Sequence, residues 1–404
     1  MSDRSTTECP QGPGPCGHSA AQLEEYISNR LESALQRRKS TDPAGYTLIR
    51  ASKESPRIPF SWDSFNSLVA LKSLPATSVV LSQKGSTLPR QTYSRSSGNI
   101  DIRSLTTLAK DGATVLLHGA DEWSEALARI TTHLTNKIRS EVKCNLFATF
   151  FDSQAFESHF DEVDALVIQL EGRKHWQLHG ISEVAPLPQH NNSDPSLCPP
   201  ETLLDTVLEP GDILYFPRGY WHTVRGAGTS SLHATFAITR PTGHDLLRWL
   251  VWKTLEIPYA RMDLPDPASD ENGSFYTKIV EAFIATAQNE SLQSYESFLE
   301  ASNSSNPSPA FPQSVLETPI THRSQFSLNT NWPPKIYANR DSIWFFFDQK
   351  TVKLPLIYHE ALEMVFTSRN FTIDSLSSRA RTPVPHLISL SRKLETLGVL
   401  QRST

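Results

Sequence analysis

Between residues 143 and 240 the chain is a succession of short β-favouring runs: NLFATFF, ALVIQL, KHWQLHG, DILYFP and SLHATFAITR. Turn-rich segments such as PLPQHNNSDPSLCPPE part them. Several short strands with turns between them predict an antiparallel sandwich or barrel, and so a mainly β fold for this part of the chain.

The flanks differ from that block. Residues 1–20 are rich in Pro, Gly and Ser and predict a disordered tail. AAQLEEYISNRLESALQRR has a helical apolar rhythm through Leu23, Tyr26, Ile27, Leu31 and Leu35. DGATVLLHG predicts a strand and DEWSEALARITTHLTNKI an amphipathic helix. After Arg240 the pattern turns helical. HDLLRWLVWKTLEI carries Leu246, Leu247, Trp249, Leu250, Trp252 and Leu255, more apolar surface than a lone surface helix needs, which predicts burial against the barrel or another subunit. A further helix is expected over residues 276–287, and ASNSSNPSPAFPQS (301–314) is a linker by composition. From about residue 335, SIWFFFDQKTVKLPL predicts a strand pair, HEALEMVFTS and PHLISLSRKLETLGVL predict helices, and together they suggest a winged helix.

Composition bounds the function classes. With 404 residues the chain has room for two or three domains. A formal charge of −5 gives no sign of a polyanion partner. No window approaches the roughly 18 uncharged apolar residues of a membrane span, and the N-terminus lacks the apolar stretch of a secretory signal. A cytoplasmic protein with no membrane partner is expected. Of the four cysteines, Cys144 and Cys198 are expected as inert thiols. The spacing of Cys9, Cys16 and His18 matches no zinc pattern.

The chemistry concentrates at Ser158-His159-Phe160-Asp161. On a strand, residues two apart share a face, which would set an imidazole beside a carboxylate. Roughly sixty residues on, PGDILYFPRGYWHTV has a turn at Pro210-Gly211-Asp212, a strand over residues 213–216 and a second turn at 217–221 delivering His222. Two histidines and one carboxylate make the facial triad of non-haem Fe(II) oxygenases. An isolated HxD is common, and the chain has thirteen histidines; the specificity lies in the context of both motifs. The bland alternative is a barrel of the same kind without a metal.

HFDEVDALVIQLEGRKHWQL followed by LEPGDILYFPRGYWHTV resembles the JmjC-type ribosomal oxygenases, 2-oxoglutarate enzymes that hydroxylate side chains of ribosomal proteins. The resemblance is dense over residues 143–240 and looser elsewhere. It implies a double-stranded β-helix (a cupin-type JmjC barrel) with flanking helices as the catalytic domain, over residues 21–240. It further implies a helical dimerisation region (241–300), a linker (301–334) and a C-terminal winged helix (335–404). His159, Asp161 and His222 become catalytic iron ligands, with Fe(II), 2-oxoglutarate and O2 as cofactor and cosubstrates and a homodimer as the expected assembly. Lys174, fifteen positions after His159, matches the family's cation for the distal carboxylate of 2-oxoglutarate, with Arg173 beside it as competitor. Asn145 matches a position lining the cosubstrate pocket. At Phe147 several members carry a Tyr whose hydroxyl assists the same carboxylate, so a water or Thr149 would have to substitute. His233 and Thr235 share a face on the strand after His222 and are pocket candidates, a core role for His233 being the alternative. His175 and His179 are expected as non-ligands, and Trp176 and Trp221 as packing residues.

The function expected is hydroxylation of an amino-acid side chain in a protein or peptide, a ribosomal protein by resemblance. Hydroxylation of a natural-product precursor peptide and histone or protein demethylation are the enzymatic alternatives. The non-enzymatic one is a nucleic-acid-binding regulator using the mildly basic SRKLETLGVL and SSRARTP, although a nucleic-acid partner is not expected.

Overall fold

Successive side chains of a strand face opposite ways, and this alternation divides the chain's largest sheet into a helix-covered face and a face turned to a cavity. The computed structural model describes residues 20–39, 45–187, 189–190, 194–267, 272–302, 319–330, 333–347, 350–368 and 370–402. The expected tail before Ala20, with Cys9, Cys16 and His18, lies outside these residues, as does the 303–318 part of the linker expected over 301–334.

The first of two compact units is Met1–Arg240. It runs α1 (Ala20–Lys39), β1 (Thr47–Ile49), α2 (Trp62–Val69), β2 (Val79–Gln83), β3 (Ser86–Thr87), α3 (Ile102–Lys110), β4 (Thr114–Leu117), α4 (Glu125–Ile138) and β5 (Glu141–Thr149). β6 (Asp164–Glu171), β7 (Lys174–Ile181), β8 (Thr202–Leu208), β9 (Ile213–Phe216), β10 (Tyr220–Gly226) and β11 (Ser231–Thr239) follow. The strands form a large sheet, β1-β9-β6-β11-β5-β4-β2-β3, and a small one, β10-β7-β8. The pairings in both are antiparallel. The five expected runs are β5, β6, β7, β9 and β11. On the outer face of the large sheet Leu146, Ala148, Leu166, Ile168, Ala234 and Phe236 join the main core with Leu23, Ile27 and Leu31 of α1 and Leu127, Ile130 and Leu134 of α4. Ser124 caps α4 by accepting from the Leu127 N–H. A second core, with Ala165, Val167, Leu214 and Phe216 from the large sheet and Trp176 and Leu178 from the small one, lies between the two sheets.

Two sequence expectations need correction. Residues 158–161 are not a regular strand: His159 makes one isolated bridge, to His222. And His222 does not end a turn. The turn closes at Gly219 (φ +86°), and Tyr220 already belongs to β10, whose register against β7 shifts between Tyr220 and His222. β8 and β10 carry no long apolar run, because the small sheet's outer face is polar.

In the second unit, Pro241–Thr404, α5 (Gly243–Lys253), α6 (Asn272–Asn289) and α7 (Leu292–Ser302) share a small core of Trp249, Leu250 and Tyr295. β12 (Gln325–Leu328), β13 (Tyr337–Ala338), β14 (Ser342–Phe347), β15 (Lys350–Pro355), α8 (His359–Thr367), β16 (Asn370–Thr372), α9 (Ile373–Ala380), α10 (Val384–Thr396) and β17 (Leu400–Arg402) complete it. β14 and β15 are the expected strand pair. β12 falls inside the stretch read as linker, yet it pairs with both β16 and β17 and buries Phe326. A four-residue strand between Ser- and Pro-rich segments leaves almost no periodic signal. Among the described residues no helix is long and apolar enough to cross a membrane.

The Asp of PGD ties the segment after β1 to the turn before β9. Asp212 Oδ1 accepts from the Ala51 N–H at 2.8 Å, and Oδ2 accepts from the Glu209 N–H at 3.0 Å and from Arg50 Nη1 at 2.6 Å. Its carboxylate is buried, so truncation orphans two backbone donors. Asp212→Ala should cost roughly 2–4 kcal/mol, read from urea unfolding followed by tryptophan fluorescence; an unmoved midpoint would show the clamp to be dispensable.

Candidate metal centre

His159 and His222 meet because their backbones bond each other reciprocally: the His222 N–H donates to His159 O at 2.7 Å, and the His159 N–H to His222 O at 3.2 Å. Directly opposed residues of an antiparallel bridge project to the same side, and the two imidazole centroids stand 4.3 Å apart. Asp161 is placed by the turn before β10. Its carbonyl accepts the Gly219 N–H at 2.9 Å, and the positive φ of Gly219 directs that N–H. A Cβ there would also meet the Glu183 carbonyl at 3.0 Å, so glycine suits the site twice over.

The side chains then converge. His159 Nε2 is 4.0 Å from Asp161 Oδ1, and His222 Nε2 is 3.8 Å from Asp161 Oδ2. One ligand atom from each residue lies within 4.8 Å of the others, and among the described residues no other group of three His, Cys, Asp or Glu side chains meets that condition. His159 Nδ1 contacts the Glu157 carbonyl at 2.8 Å, and His222 Nδ1 contacts the Tyr220 carbonyl at 3.1 Å. A carbonyl only accepts, so each Nδ1 carries a proton, and Nε2 of each ring is the atom turned toward Asp161. Burial, reinforced by the neighbouring His159, pushes the His222 pKa well down and keeps that imidazole neutral. Two imidazoles and one carboxylate fit a divalent metal of the facial-triad class.

These three residues border a cavity of about 550 Å3 between the two sheets. Its walls include Asn145, Phe147, His233 and Thr235 from the large sheet and Lys174 and Trp176 from the small one. Asn145 and Thr235 are register partners on β5 and β11, and Asn145 Oδ1 accepts from the Gly119 N–H at 3.2 Å. His233 lies flat on its register partner Phe147, centroids 4.7 Å apart with 8° between the rings. Burial, then the charge of Lys174, depresses the His233 pKa well below the usual range. Thr149 is fully buried behind Lys174, where its hydroxyl accepts from the ammonium and contacts the Thr114 hydroxyl at 3.1 Å. Lys174 itself is 3% exposed, and burial lowers its pKa to about 7.

Other expected roles divide cleanly. Arg173 points to solvent and reaches Glu209 at 3.9 Å, leaving Lys174 as the cavity cation. His175 contacts Asp205 at 2.7 Å and His179 contacts Thr202 Oγ1 at 3.4 Å, away from the triad. Trp221 is wholly buried and packs edge-on against Phe160, as expected. Trp176 is more than packing: it borders the cavity, parallel to His222 and edge-on to His233. Its position two residues after Lys174 on one strand was the signal for this. Cys144 is buried on the helix side, where burial raises its thiol pKa, and Cys198 is a free, partly buried thiol.

An ammonium buried with no carboxylate opposite it costs stability. The unfolded chain keeps the Lys174 proton up to its ordinary pKa of 10.5, whereas the folded chain releases it near 7. Between those values the unfolded state binds more protons, so stability rises with pH, and below about 7 the full cost persists. Lys174→Met in metal-free protein should therefore stabilise the fold by about 1–4 kcal/mol at pH 6 and by less at pH 9. A pH-independent difference in thermal unfolding would contradict this.

Residues 120–246 match the family model of the JmjC domain. The chain is 35% identical over 147 residues to human ribosomal oxygenase 1, an alignment spanning 35% of this chain and 23% of that protein. It is 32% identical over 133 residues to the bifunctional lysine-specific demethylase and histidyl-hydroxylase NO66 of Aedes aegypti, spanning 32% of this chain and 21% of that one. The matched region is thus under a quarter of either relative's own length. YcfD, a ribosomal oxygenase from Escherichia coli solved in complex with cobalt and 2-oxoglutarate, shares the fold. It aligns at TM-score 0.53 and 16% identity, over 89% of this chain and 95% of that one.

Proposed function

With residues 120–246 taken as a JmjC domain of the ribosomal-oxygenase type, we propose that the chain is an Fe(II)- and 2-oxoglutarate-dependent oxygenase that hydroxylates an amino-acid side chain in a protein, with a ribosomal protein as the substrate the relatives suggest. The observation that carries this reading is the convergence of His159, Asp161 and His222 at the wall of a cavity holding a buried lysine. Bound Fe(II) supplies the redox chemistry that couples oxidative decarboxylation of 2-oxoglutarate to hydroxylation of a C–H bond, with O2 as oxidant.

What the chain contributes is position and environment. The carbonyls of Glu157 and Tyr220 hold the Nδ1 protons, so that both Nε2 atoms are free to ligate. Lys174 answers the distal carboxylate of the cosubstrate, and that carboxylate in turn favours the charged ammonium. Thr149 orients the ammonium from behind. Asn145 and Thr235 offer polar atoms on the large-sheet wall, while Trp176 and Phe216 exclude water. In anaerobic titration with Fe(II) and 2-oxoglutarate, the wild type should develop the weak visible charge-transfer band of the chelate and Asp161→Ala should not. In air, a ribosomal-protein substrate should stimulate succinate formation, and His159→Ala should abolish it. A folded, iron-loaded wild type with neither signal sinks the assignment.

The C-terminal module, expected over residues 335–404, is proposed as a winged helix that starts earlier, at β12, supported by α8, α9 and α10 beside the β16-β12-β17 sheet. A homodimer through the 241–300 region is supported by α5 and the turn after it, which leave Leu247, Val251, Trp252 and Leu255 each more than half exposed on one apolar stretch. Light scattering should give twice the chain's mass for the wild type and the monomer mass for Trp252→Glu/Leu255→Glu. A monomeric wild type removes the dimer.

A further inference from the structure

Hydrogen bonds to three successive carbonyls fix the segment that leads into His159. The Ala155 carbonyl accepts from the Gly85 N–H at 3.1 Å and from the Ser82 hydroxyl at 2.6 Å. The Phe156 carbonyl accepts from Gln154 Nε2 at 2.9 Å, and the Glu157 carbonyl from His159 Nδ1 at 2.8 Å. The Glu157 side chain is seated over Gly85, in the turn between β2 and β3 (φ +80°). A Cβ on Gly85 would meet Glu157 Cγ at 2.8 Å and Oε1 at 2.9 Å, so only a glycine leaves this seat open. Both residues border the cavity, and Glu157 is exposed, which sets its carboxylate where the cavity meets solvent. Among the described residues no hydrogen bond or ion pair engages that carboxylate.

Besides histidines, the described cavity wall carries Asp161, Lys174 and Glu157 as charged side chains. Under the oxygenase reading the metal takes Asp161 and the cosubstrate's carboxylate takes Lys174. Glu157 is then the charge left without a counterpart. It stands beside Phe156, whose ring lies 5.7 Å from that of the ligand His159. We propose that Glu157 is a specificity-determining residue, which takes the positively charged end of an arginine or lysine side chain that the protein substrate presents to the metal. The inference rests on the oxygenase reading above. A carboxylate pairs with a guanidinium or an ammonium through charge-assisted hydrogen bonds, whereas a neutral side chain leaves it unanswered. Its fixed backbone spares part of the ordering that such a pair normally costs. The competing arrangement is a carboxylate that is merely solvated and indifferent to what enters.

The full chain, loaded with Mn(II) and 2-oxoglutarate under nitrogen, separates the two. The probes are N-acetylarginine amide and its neutral isostere N-acetylcitrulline amide, followed by the paramagnetic relaxation of their side-chain protons. The wild type should bind the arginine probe roughly threefold to tenfold more tightly at low salt, and added salt should shrink that preference. Glu157→Gln keeps the shape of the side chain and the carbonyl that holds His159, and should bind both probes alike. Glu157→Lys should drop the arginine probe below the citrulline one. A wild type that relaxes both probes equally, or neither, overturns the proposal. So does a preference that survives in Glu157→Gln, since its source would lie elsewhere on the wall. Mn(II) that stays free by its electron spin resonance spectrum overturns the oxygenase reading, and the role of Glu157 with it. Bound Mn(II) and 2-oxoglutarate without a charge preference overturn the role of Glu157 alone.

Discussion

The reciprocal backbone bond between His159 and His222 is the contact from which the candidate site is built. Two residues 63 apart in sequence are brought into opposition by a single bridge rather than a ladder. A full strand at residues 158–161 would continue the pairing and alternate its side chains. The isolated bridge instead lets the chain turn at once, so that Asp161 is held through its carbonyl by Gly219 and presents its carboxylate to both imidazoles. The hydroxyls of Ser158 and Thr223, 2.6 Å apart, tie the same two segments one residue along.

Around that bridge, the two-residue period of the large sheet sorts the chemistry. Cys144, Leu146 and Ala148 face the helices, and Asn145, Phe147 and Thr149 face the other way. β11 repeats the division, with Ala234 and Phe236 in the main core and His233 and Thr235 at the cavity. Polar residues buried on the inner face weaken the apolar packing between the sheets, and the helix-covered face offsets that loss. Stability and site are thus carried on opposite sides of the same strands.

Lys174 shows what such a division costs. An ammonium almost wholly removed from water, answered only by a threonine hydroxyl, is a poor choice for the fold. Under the proposed function it is half of an ion pair whose other half is the cosubstrate's carboxylate.

Much of this was legible in the sequence. The five apolar runs locate β5, β6, β7, β9 and β11 because strands buried on at least one face must be apolar there. HxD and PGD-strand-PRG-x-x-His mark the triad because both motifs combine scarce ligand types with turn residues. Lys174 and Asn145 follow from the family resemblance, and His233 and Thr235 from their shared face on the strand after His222. Other features were hidden for physical reasons. β8 and β10 belong to a small sheet with a polar outer face, and β12 is a short strand that gains its order only from β16 and β17. No periodicity distinguishes a lysine on a solvated strand from one buried against Thr149. Which residues could offer ligand atoms, and which strands alternate, was determined by the sequence alone, because side-chain type and two-residue period are local properties. That His159 meets His222 through one bridge, that Lys174 is dry and that His233 lies flat on Phe147 were decided only by the tertiary structure, because each depends on how the two sheets close over the space between them.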